Sequence, residues 1–156
     1  MARTVTTQGT DRVPVEQIEG ETRAVDLVVA YVVGDVDLVV AARLKGGELA
    51  RGYMIQQLDG MLGQAVMADP GFSFRRRAVM PPAGIGWLST VPMAADVAAV
   101  VWALAGDGGE GPWRQMTEED GATALAVSTV ARGIAAWGAD GFLARLAAMR
   151  AVVSAA

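Results

Sequence analysis

VDLVVAYVVGDVDLVVAARL, residues 25–44, is the longest apolar stretch of the chain and decides its fold. The hexapeptide Val-Asp-Leu-Val-Val-Ala occurs in it twice, at 25–30 and 36–41. An offset of eleven residues is close to three helical turns, so the repeat returns each side chain to nearly the same helix face. On one continuous helix Asp26, Ala30, Asp37 and Ala41 share a narrow stripe, and valines and leucines cover most of the rest. A helix of that kind is largely buried.

The same stretch also fits a β-hairpin turning at Gly34-Asp35. Cross-strand pairing would put Val33, Tyr31, Val29, Leu27 and Val25 opposite Val36, Leu38, Val40, Ala42 and Leu44 on one apolar face. The eight valines favour the strand. A third arrangement has Gly34 ending one helix and Asp35 capping the next. We take the stretch as helical, with the hairpin as the alternative.

Outward from this core, Gly46-Gly47 breaks the chain and Glu48 to Ala68 reads as a helix. Ile55, Leu58, Leu62 and Ala65 follow helical spacing, and Met54 and Met61 lie nearby as core candidates. Asp69-Pro70-Gly71 stops it. Gly52, Gly60 and Gly63 either allow a close helix approach or are tolerated on the surface. Residues 71–91 are irregular, with Pro81-Pro82, Gly84 and Gly86 excluding long regular elements. Pro92 suits the first turn of a further helix, with Val97, Val100, Val101 and Leu104 facing the core. A glycine-rich acidic loop, 107–113, comes next.

Thr117-Glu118-Glu119-Asp120 resembles a helix start, with a capping hydroxyl and acids in the first turn. Val127, Val130, Ile134 and Trp137 continue it; residues 138–141 break it. Phe142, Leu146, Met149 and Val153 form a last amphipathic stripe, leaving Arg145 and Arg150 outside. These two segments read as a helical hairpin. The expected architecture is a mainly α, compact bundle of about five helices with an irregular central segment. The alternative is an α+β fold with the hairpin at 25–44. Residues 1–21 read as a polar N-terminal arm, and 22–156 as a single helical domain.

At 156 residues the chain has length for one sizeable core. Hydrophobic residues make up 53% and charged ones 19%, more apolar than an average soluble domain, so a partner surface is a natural sink for the excess. A membrane span is disfavoured, since three Asp interrupt 25–44 and prolines interrupt 78–95. With no basic start followed by an apolar core, no signal peptide is visible, and a cytoplasmic setting or an intracellularly assembled particle is expected.

The chain has no His and no Cys, which excludes disulfides, thiolate nucleophiles, imidazole bases and the common zinc sites. Ser89 and Ser128 lack a histidine to activate them, and Lys45 is the one lysine. Asp26, Asp35 and Asp37 could converge only if the chain bends at Gly34. Gly84-Ile85-Gly86 lacks the third glycine of a dinucleotide fingerprint. No cofactor or metal is expected, and catalysis by carboxylates and arginine alone has no spacing that singles out a pair.

Two charged segments stand out as interaction candidates. Arg75, Arg76 and Arg77 form the cationic cluster, close in sequence to Phe72, Phe74 and Trp87. Trp113 adjoins an acidic run that includes Glu118, Glu119 and Asp120. Arginines among aromatics can hold single-stranded nucleic acid, but a net charge of −4 disfavours that partner. Pairing of the two segments between copies would orient assembly. The expectation is a non-enzymatic structural or assembly protein that forms a homo-oligomer or takes a place in a larger particle, a phage-like shell or tail being one setting. The alternative is a small helical ligand-binding or regulatory module with an apolar pocket between the 48–68 helix and the Trp87 segment.

Overall fold

The computed structural model describes residues 13–44, 47–71 and 118–155. They form a mainly α fold: 91% of them are helical, and no strand occurs among them. Four helices occur in order: α1 (Val15–Val33), α2 (Val36–Leu44), α3 (Glu48–Ala68) and α4 (Glu118–Ala155). The helix expected after Pro92, the irregular segment and the acidic loop lie outside the described residues.

The 25–44 stretch is two helices, not a hairpin, and not one continuous helix. The Asp26, Ala30, Asp37, Ala41 stripe therefore does not run through. Local chemistry at Gly34-Asp35 settles the matter against the strand preference of valine. Gly34 takes a left-handed conformation, φ 77° and ψ 29°, which glycine adopts without steric penalty. The amides of Gly34 and Asp35 both donate to the Ala30 carbonyl, each at 2.9 Å. These bonds satisfy a carbonyl that the end of α1 would otherwise leave open. The Asp35 carboxylate then accepts the Leu38 amide at 3.0 Å, and its carbonyl accepts the Val39 amide at 3.1 Å. Asp35 is thus the N-cap of α2.

At its other end α1 reaches back into the polar stretch 1–21, with Pro14 at the N-cap and its carbonyl accepting the amides of Gln17 and Ile18. Residues 15–21 are accordingly helical. The buried face of α1 is Gly20, Ala24, Leu27, Val28 and Tyr31, with Val25 and Ala30 beside it. That spacing of three and four is an amphipathic stripe.

The stripe packs on α3 and α4, which also pack on each other, while α2 leans on α1. α1 and α3 come close at Gly20. A methyl group there would collide with the Ala50 carbonyl oxygen and lie 2.9 Å from the Met54 amide nitrogen. Both are backbone atoms, so α1 and α3 must separate to admit any side chain. Gly52, Gly60 and Gly63 play no such part, since a methyl on each would meet nothing within 4 Å. On α3 the buried line is Ala50, Met54, Leu58, Met61 and Ala65. Ile55 and Leu62 sit half-buried at its edge.

In α4 every residue from Gly121 to Val130 is buried. Small side chains and hydroxyls make such a helix possible: Thr129 satisfies its hydroxyl by donating to the Leu125 carbonyl at 2.7 Å. Ser128, which has no histidine to activate it, is one of these buried residues. Gly138 interrupts the helix with φ 73° and ψ 163°, a region essentially confined to glycine. The break is this residue alone; Gly141 is already inside the second limb. That limb, 139–155, buries Phe142, Leu146 and Val153 and leaves Arg145 and Arg150 exposed, with Met149 between.

Candidate functional site

Phe72, Phe74, Arg75, Arg76, Arg77, Trp87 and Trp113 lie outside the described residues, so the expected cationic cluster has no geometry here. Glu118, Glu119 and Asp120 open α4, but their side chains also lie outside the description. Pairing between the arginine and acidic segments is therefore not addressed by any contact.

Three features of the described helices can bear on function. The first is an apolar edge at the α1–α2 corner. Val33 is 57% exposed, Val36 52% and Val40 42%. Val36 and Val40 stand four apart on one face of α2, hence as neighbours, and Val33 is the last residue of α1, before the two-residue turn. Sequence reading placed these valines in the core. The structure buries Val39 and Ala42 of α2 and leaves Val36 and Val40 exposed, since α2 leans on α1 alone among the helices with substantial contact.

The second feature joins the two limbs of α4. Phe142 packs on Gly133, where an added methyl would lie 2.5 Å from the ring. The ring also stacks on Trp137, with centroids 5.7 Å apart and planes inclined by 23°. Above Trp137 sits the Arg145 guanidinium, 4.3 Å from the ring centroid, a cation–π contact. Farther along the limb, Arg150 pairs with Asp26 of α1 at 3.2 Å. Sequence spacing identifies Phe142 as core, yet nothing in it marks Gly133 as the notch that receives the ring.

The third feature is a hollow of about 570 Å³ beside the first turns of α3, lined by Glu48, Leu49, Gly52, Tyr53 and Gln56. Its described lining mixes a carboxylate and an amide with a leucine and a phenol.

Two further polar pairs act within α1. Arg23 bonds to Glu19 one turn earlier, and Gln17 to Glu21 at 2.9 Å. Burial lowers the pKa of the Arg132 guanidinium from its ordinary value, and the Asp69 carboxylate opposes that shift. Asp26, Asp35 and Asp37 do not converge, and among the described residues no group of three acids is placed to hold a metal ion. No described helix is long and apolar enough to cross a membrane.

No protein-family description, curated protein or solved structure matches this chain.

Proposed function

We propose that this chain is a non-enzymatic structural or assembly protein that self-associates, as a homo-oligomer or within a larger particle. The observation that supports the reading is the exposed valine edge at the α1–α2 corner. Val36 and Val40 share one face of α2, Val33 ends α1 three residues before Val36, and each is more than two-fifths exposed. The same short helix sends Val39 and Ala42 into the core. Covering such an edge removes apolar surface from water at about 25 cal/mol per Å², and exposed apolar groupings mark interaction sites.

Replacing Val36 and Val40 with serine tests the edge. Both are exposed, so the fold should survive. Sedimentation over a range of concentrations should show weaker association than the native chain. Equal association at every concentration would remove this edge as the contact.

A second reading, a small helical ligand-binding or regulatory module, is favoured by the hollow beside α3. Its volume falls in the range of small-molecule sites, about 300–1,000 Å³. Tyr53 and Leu49 would take an apolar body, and Glu48 and Gln56 a polar head. A ligand that binds only the native chain raises its melting temperature. Screening small amphipathic molecules against the native chain and Tyr53→Ala would support this reading if a shift appears in the first and is lost in the second. No shift with any of them would count against it.

A further inference from the structure

The C-terminal limb of α4 is attached to the rest of the molecule in an unusual manner. One residue, Gly138, separates it from a helix that otherwise runs continuously from Glu118 to Ala155. Trp137 and Ala139 on either side remain helical. Rotation at Gly138 alone into the helical region would therefore make α4 one straight rod of 38 residues, about 57 Å long at 1.5 Å per residue. Phe142, Leu146 and Val153 would then leave their own core.

Among the described residues the seat they vacate includes Gly133 and Trp137 of α4, with Asp26 of α1 at its rim. A second copy of this chain carries the same Phe142, Arg145 and Arg150, the side chains that occupy the seat in the closed chain. We propose that copies of this chain hold one another by exchanging residues 139–155 about Gly138. The proposal rests on the self-association reading and names its mode.

The energetic argument is one of partial cancellation. In an exchanged pair the Arg150–Asp26 contact, three turns beyond the hinge, is remade between copies, while the Phe142 and Arg145 contacts beside Gly138 readjust as the two chains pass each other. Contacts that are remade drop out of the balance between the two forms. What remains is the backbone conformation at Gly138, required only when the limb folds back on its own chain, and any surface the two copies bring together, set against the freedom two chains lose on association, which makes the exchange depend on concentration. Short hinges between packed segments invite such exchange. The exposed valine edge supplies apolar surface for the second term.

The chain has no cysteine, so single thiols can be placed at will. Asp26→Cys and Arg150→Cys chains, one of them isotopically labelled, are mixed at a concentration where the native chain associates, and treated with a short bismaleimide. Exchange predicts 26–150 links between labelled and unlabelled chains. In a chain carrying both substitutions, links confined to single chains while association persists would overturn the exchange and leave self-association standing. A native chain that stays monomeric at every concentration would instead overturn the self-association reading, and the exchange with it. These two failures are thus distinct.

Gly138→Ala gives a second measure. Alanine disfavours the folded-back conformation and favours the straight helix, so the association constant should rise at least tenfold with helix content retained. A folded Gly138→Ala chain whose association is unchanged would overturn the proposal. Should that variant not fold, the cross-linking of mixed chains decides alone.

Discussion

Among the described residues two glycines with positive φ interrupt helices, Gly34 and Gly138, and they are held by different means. At Gly34 the backbone does the holding: two amides converge on the Ala30 carbonyl, and Asp35 caps α2. At Gly138 side chains do it: a ring on Gly133, a ring on a ring, and a guanidinium over the indole. The first break is complete within a few residues and needs nothing from the rest of the fold. The second depends on a limb finding its seat. A local turn of the first kind fixes the path of the chain, whereas a packed turn of the second kind is the one at which the proposed exchange between copies would act.

Removing the ring should separate the two breaks most sharply. Phe142→Ala deletes a fully buried aromatic side chain and is expected to cost about 3–5 kcal/mol in urea unfolding. Amides of 139–155 should exchange much faster, while those around Gly34 keep their native order of protection. Equal loosening at both breaks would show that the ring supports the whole core rather than the limb.

At the other break the left-handed backbone is the larger item. Gly34→Ala should cost about 1–2 kcal/mol from the conformation alone, since a methyl there meets nothing within 4 Å. Gly34→Asn should cost less, as asparagine tolerates this region. If alanine proves harmless, the turn is set by the Asp35 cap and not by glycine. Asp35→Ala removes that cap and should cost about 1 kcal/mol, with α2 losing protection before α1.

The smallest effect is expected from Arg150→Ala. The pair with Asp26 is partly exposed, so its contribution is about 0.2–1 kcal/mol. It should shrink further in 1 M salt, where the screening length is about 3 Å. A salt-independent loss would mean that the arginine stem packs against α1 and its charge matters little.

Much of this fold was legible in the residues. The bounds of α3 stem from Gly47 and the Asp69-Pro70-Gly71 stop, and the two limbs of α4 from their apolar spacing. The helix-ending role of Gly34-Asp35 was one of three readings, and strand preference of valine argued against it. Cap hydrogen bonds outweighed that preference, as local context commonly does for valine. The α1–α3 contact was not legible. Gly20 lies in a polar run that reads as an arm, and close approach depends on which helix crosses there. Gly133 was hidden for the same reason, since its value as a notch appears only once Phe142 folds back. Of the candidate interaction residues, the arginine cluster and its aromatics lie outside the described helices, and the exposed valines were masked by their resemblance to core.

The measurement that bears most directly on self-association is the mass of the native chain in solution. Light scattering after size exclusion, at low and high salt and over a tenfold range of concentration, reads it. A discrete oligomer that persists in high salt is the predicted result, because the exchanged limb and the valine edge are mainly apolar. A monodisperse monomer under every condition would contradict it.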